Sequence, residues 1–148
     1  MYTLMTSGTF YDLHEGHKYL LNIFKELGEE LKAPMFININ TKQYCEDKYL
    51  EDIKKLPINQ QIYYKALLDP KNRIKRINSY LMNNLIQYII HDNPLSLNKF
   101  KDSKILYIIG DDYINKEYKE STLVHSTIFI SRLDDYSTSS TLKERIQQ

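Results

Sequence analysis

Residues 6–21, TSGTFYDLHEGHKYLL, constrain this chain more than any other stretch. A β-branched and apolar start runs into Gly8, Thr9 and Phe10, passes through His14, Glu15, Gly16 and His17, and continues with helical spacing. A strand, a glycine turn and a helix in immediate succession predict a backbone that approaches a ligand closely at Gly8. They also predict a helix start near Glu15 and Gly16 whose unpaired N–H groups and dipole favour an anion. His14 and His17 are placed to face that anion. Read alone, the stretch is a phosphate loop of unknown purpose. Zinc is the other chemical reading of the two histidines, but His91, His125 and Cys45 lie far off in sequence.

The remaining elements follow from hydrophobic spacing. Tyr2 to Ser7 suits a first strand, and Leu20, Phe24, Leu27 and Leu31 mark one face of a helix ending near Lys32. Met35 to Asn40 reads as a second strand, so the start of the chain is a βαβ unit. Thr41 to Leu56 is charged and aperiodic and is expected to be a mobile loop or broken helix over the substrate. Pro57 opens a helix with Ile58, Ile62, Tyr63, Ala66 and Leu67 on its apolar face, closed by Asp69-Pro70. Arg73 to Tyr80 is expected as a strand and Leu81 to His91 as a helix. Ile105 to Ile109, ending in Gly110, has the unbroken apolar character of a central parallel strand, and Thr127 to Ser131 is a further strand. A last helix begins near Ser139, capped by Thr138, Ser139 and Ser140.

These elements predict one doubly wound α/β domain over residues 1–148, with the polar motifs on the carboxyl rim of a parallel sheet. Twenty Lys and Arg balance nineteen Asp and Glu, so no overall field favours nucleic acid or an anionic membrane, and any anion site is local. The single cysteine, Cys45, excludes an internal disulfide. With no secretory leader pattern and no apolar run of spanning length, the expected location is cytoplasmic.

GTFYDLHEGH at Gly8 to His17 closely resembles the G-T-F-D-x-x-H-x-G-H signature of the nucleotidyltransferase superfamily that includes cytidylyltransferases and small adenylyltransferases. Thr138 to Lys143, TSSTLK, is similar to its closing I-S-S/T-T-x-I-R/K element, and Gly110 to Tyr113 resembles the G-D-D-aromatic segment of the glycerol-3-phosphate cytidylyltransferases. The resemblance implies a Rossmann-like domain that moves a nucleoside monophosphate from a triphosphate, by preference CTP, onto a small phosphorylated acceptor with release of pyrophosphate. It implies His14, His17 and Lys143 as catalytic residues. Thr9, Phe10, Gly16, Asp112, Tyr113, Arg132, Thr138, Ser139 and Ser140 would bind nucleotide, Mg²⁺ would accompany the triphosphate, and the protein would be a homodimer. Lys48 and Lys54 are candidates for the acceptor phosphate. An adenylyltransferase using ATP, or a nucleotide-binding domain without turnover, are the alternatives. Three departures stand out: Tyr11 occupies the usual Asp position with Asp12 after it, Asn59-Gln60-Gln61 stands where an Arg is expected early in the helix after the lid, and the stretch between Leu68 and Lys104 is longer than in the smallest cytidylyltransferases.

Overall fold

The structure, a computed structural model, describes residues 2–94, 97–100, 102–110 and 126–130. Their apolar runs pair side by side as β1 (Tyr2–Gly8), β2 (Met35–Ile39), β3 (Ile86–Ile90), β4 (Lys104–Gly110) and β5 (Ser126–Ile130). The strand order is β3-β2-β1-β4-β5 and every adjacent pair is parallel. Parallel neighbours need long crossovers. Helix α1 (Glu15–Leu31) joins β1 to β2, and α2 (Lys42–Ile53), α3 (Ile58–Ala66) and α4 (Pro70–Leu81) lie between β2 and β3. Strands are added outward in both directions from β1, which is the doubly wound, Rossmann-like order.

Side chains alternate across the sheet as strand geometry dictates. Leu4, Ile37, Ile39 and Ile108 face Leu21 and Phe24 of α1 and Ile77 and Leu81 of α4. Met5, Ile105, Tyr107 and Ile109 point the other way and gather with Phe100, from the 3-10 turn Asn98–Phe100. A third apolar cluster lies off the sheet, where Tyr11 meets Cys45, Tyr49 and Ile53 of α2 and Tyr64 of α3.

Four sequence expectations are corrected. Thr41 to Leu56 is neither a mobile loop nor a broken helix but the continuous α2 and its following turn. Cys45, Tyr49 and Ile53, four apart, form a buried stripe narrow enough to be lost among the charges. Arg73 to Tyr80 is helical within α4, because Asp69 caps it by accepting the Lys71 amide at 3.0 Å and Pro70 sits at its first position. Leu81 to His91 is not a helix. Met82, left-handed at φ 51°, terminates α4, and β3 follows with Ile86 and Ile89 buried and Gln87 exposed. On α3 most of the expected apolar face points outward, with Ile58 78% and Ile62 69% exposed and Tyr63 and Ala66 also exposed; of its members Leu67 alone is buried, together with Tyr64 and Leu68.

Candidate functional site

Between β1 and β4 the strand order reverses, so the crevice beyond Gly8 and Gly110 is where a sheet of this topology binds ligands. The loop carrying Thr9 to His14 stands there and leads into α1.

His14 is the N-cap of α1, a position that usually goes to Ser, Thr, Asp or Asn. Its Nδ1 accepts the His17 amide at 3.2 Å, and Nδ1 of His17 accepts the His14 amide at 3.3 Å. This is a reciprocal capping box built from two imidazoles, with the rings stacked at 3.7 Å between centroids and 13° between planes. Because each Nδ1 accepts an N–H, the proton of each neutral ring is assigned to Nε2. The cap therefore fixes both tautomers and turns each histidine into an Nε2 donor. Glu15, in the first turn, pairs with Lys18 at 3.5 Å.

Phe10 adopts φ 46°, a left-handed conformation that costs a bulky residue about 1–3 kcal/mol. Burial of its ring offsets that cost. The ring packs edge-on to His17 at 5.2 Å and lies over Gly8, where an added Cβ would come within 2.9 Å of Phe10 Cε2. Gly8 itself has no positive φ. Its lack of a side chain makes room for Phe10, rather than letting the backbone turn as the sequence suggested.

Thr9 is held twice. Its hydroxyl donates to Asn40 Oδ1 at 3.1 Å, and its carbonyl accepts Arg73 Nη1 at 2.7 Å. Arg73 also donates through Nη2 to the carbonyls of Asn40 at 2.9 Å and Leu68 at 3.3 Å. A wholly buried guanidinium thus ties together the loops that follow β1 and β2, and burial pulls its pKa below the usual arginine value. Further along the rim, Asp92 accepts the Thr41 amide at 3.0 Å, the Thr41 hydroxyl at 2.7 Å and Asn40 Nδ2 at 3.2 Å.

Tyr11 and Asp12 are structural. Tyr11 is fully buried, stacks on Tyr49 at 4.6 Å and donates its hydroxyl to the Tyr64 carbonyl. Asp12 accepts the Tyr64 hydroxyl at 2.9 Å and Arg76 Nη1 at 3.2 Å. The shift of the acidic residue by one position seats an aromatic ring against α2 and α3 and a carboxylate against α4. Gln61 donates to the carbonyls of Lys54 and Leu56 at 3.1 and 2.8 Å, closing the turn after α2. Arg73, early in the next helix, is wholly buried on main-chain carbonyls and does not take the place of the arginine that the resemblance implied. Sequence reasoning missed it by reading its segment as a strand.

The sequence-predicted residues therefore divide. Thr9, Phe10, His14, Gly16 and His17 come together on one loop and helix start. Lys48 lies over the rings of Tyr44 and Tyr49, and Lys54 pairs with Glu51 at 3.4 Å, both on or beside α2. Asp112, Tyr113, Arg132, Thr138, Ser139, Ser140, Lys143 and the last expected helix lie outside the described residues. Among the described residues no three His, Cys, Asp or Glu side chains converge to hold a metal ion. The rim carboxylates Asp12 and Asp92 are engaged as above, so the described donor set does not fit a protein-held Mg²⁺. No helix among those residues is long and apolar enough to cross a membrane. No protein-family model matches the chain, and no curated protein matches it significantly.

Proposed function

We propose that the protein is a nucleotidyltransferase that moves a nucleoside monophosphate, CMP from CTP by preference, onto a small phosphorylated acceptor. The observation that carries the reading is the reciprocal His14–His17 cap at the switch point of the sheet. It supports two preset Nε2–H donors beside the helix start, where a triphosphate is favoured by the dipole. In the proposed reaction an acceptor phosphate oxygen attacks the α-phosphorus. The new P–O bond forms as the bond to the bridging oxygen of the β-phosphate breaks, and pyrophosphate leaves with that electron pair. The two imidazoles donate hydrogen bonds to oxygens that gain charge during this exchange, an electrostatic role that asks for no covalent intermediate. Thr9 and Phe10 position the loop. Asp112 and Tyr113 at the base, and Arg132, Thr138, Ser139, Ser140 and Lys143 at the β and γ phosphates, belong to the same proposal through their motif resemblance, and Mg²⁺ would arrive with the triphosphate.

The test is pyrophosphate release with CTP, ATP, GTP or UTP against a panel of phosphorylated alcohols, sugars, amino acids and nucleotides. CTP is expected to support turnover and to raise the melting temperature more than the other three. Equal shifts would remove the preference for cytosine, and no release with any pair would sink the enzyme reading. His17→Ala is expected to abolish release while nucleotide affinity stays within about tenfold. It keeps the His14 cap bond to the residue-17 amide and loses only the return bond from the His14 amide, a cost of about 1 kcal/mol, so the assay is run well below its melting temperature.

A further inference from the structure

Leu13 and Lys18 bracket the histidine pair in sequence, and both line a cleft of about 440 Å³ on the flank of the site. Its other wall is α4, which contributes Lys75, Arg76, Ser79 and Tyr80. Helical spacing explains the wall: 79 follows 75 by four and 76 by three, and 80 follows 76 by four, on a different side of α4 from buried Arg73, Ile77 and Leu81. Three cations thus meet at one opening. Lys18 pairs with Glu15 at 3.5 Å and lies 5.4 Å from the centre of the Tyr80 ring. Arg76 pairs with Asp12 at 3.2 Å. Lys75 makes no ion pair among the described residues, so the cleft keeps a positive charge that no carboxylate of those residues balances. Tyr80 Oη accepts Asn22 Nδ2 at 2.7 Å, which leaves its own O–H to donate, and Ser79 adds a second hydroxyl.

We infer that this cleft takes the phosphomonoester group of the acceptor, an inference that rests on the transferase reading above. Ammonium and guanidinium groups with two hydroxyl donors suit a phosphate dianion, and Leu13 offers an apolar surface to the carbon skeleton attached to it. The near-zero net charge of the chain gives an extended polyanion no broader basic surface to follow, so a small ligand fits better than a nucleic acid. A phosphate held between Lys18 and Lys75 also lies next to the helix start proposed to hold the triphosphate, which is where an attacking phosphate belongs. Arg76, fixed by Asp12, would orient the group, and Lys75 would supply the charge.

The experiment follows backbone amide signals of the whole chain by NMR during titration with inorganic phosphate and, separately, phenyl phosphate. Saturable shifts confined to Leu13, Lys18 and residues 75–80, with phenyl phosphate binding at least as tightly as phosphate, are expected. Lys75→Glu, an exposed change that leaves the core intact, should weaken both ligands by at least about tenfold, as loss of one charge-assisted bond implies. No saturable shift up to about 20 mM would overturn the site. Binding of phosphate with exclusion of phenyl phosphate would also overturn it, because the cleft would then suit a free anion. In the turnover assay Lys75→Glu should raise KM for the phosphorylated acceptor and leave KM for the triphosphate unchanged, and the reverse pattern would assign the cleft to the nucleotide. Absence of any turnover by wild-type protein defeats the transferase reading alone, since the titration reports on the cleft independently.

Discussion

Arg73 brings a guanidinium into a place where it makes no ion pair among the described residues, and three main-chain carbonyls from three separate segments take its protons. Planarity and the fork of donors are what the place requires. Lysine has one nitrogen and a point charge, and cannot reach Thr9, Asn40 and Leu68 together. Arg73→Lys is therefore expected to cost about 2–4 kcal/mol through carbonyls left without donors. The readout is a lower urea midpoint with an unchanged slope. The same change should loosen Thr9, which has its hydroxyl on Asn40 and its carbonyl on Arg73, so under the proposed function nucleotide affinity would fall together with stability. The histidine pair is a residue-scale device of another kind, in which each ring is both cap and donor. Each tautomer is set by the main-chain N–H of the other position, so a substitution at one removes its own ring and leaves the tautomer of the other in place.

At the scale of elements, α1 lies close enough to β2 that Gly28 has no room for a methyl group, which would overlap Sδ and Cγ of Met35. Alanine favours a helix over glycine by about 1 kcal/mol, but overpacking a buried side chain costs about 1–3 kcal/mol. Gly28→Ala is thus expected to destabilise, and Gly28→Ala with Met35→Ala should lose less than the two single changes summed, measured as a double-mutant cycle by denaturation. Much of the element plan was legible in the chain. Strands β2 and β4 announce themselves because buried parallel strands are apolar on both faces, and β1 and the edge strand β5 show as short β-branched and apolar runs. The edge strand β3 does not, since Leu85, Ile86, Ile89 and Ile90 mimic helical spacing while Leu85 and Ile90 are exposed. Helix α4 was hidden for the opposite reason: the residue that opens its buried stripe is an arginine, which pattern reading assigns to solvent. Of the site, the loop and its histidines could be read from spacing alone. The rim bonds of Arg73, Asn40 and Asp92 could not, because single side-chain bonds across 33 to 64 residues, to main chain or to another side chain, leave no periodic trace.

For the molecule as a whole, three buried acids make alkaline stability a global property. Burial pushes the Cys45 thiol up from 9.0 to about 11, with Arg73 pulling partly back, and pushes the Tyr88 phenol up from 10.0 to about 12. Burial raises Tyr11 as well. A raised folded pKa means that the unfolded chain releases its proton first. The associated stability is complete below pH 9 and is lost as pH rises, through Cys45 between pH 9 and about 11 and through the tyrosines from pH 10 upward. For Cys45 the loss amounts to about 2–3 kcal/mol. Urea unfolding at about pH 8 and about pH 10 should show the decline in the native chain and a smaller one in Cys45→Ala. The rim carries a different global consequence, in the order of events rather than in equilibrium. Arg73 bonds to Thr9, 64 residues away, and to Asn40, 33 residues away, so its fork can close only after β1, β2 and α4 have all docked. Because the fork waits on three docked elements, its bonds are expected to form on the native side of the folding barrier, which a chevron of Arg73→Lys would read. Losing them should then leave the refolding rate almost untouched and speed unfolding, which would make Arg73 a latch on the lifetime of the folded chain.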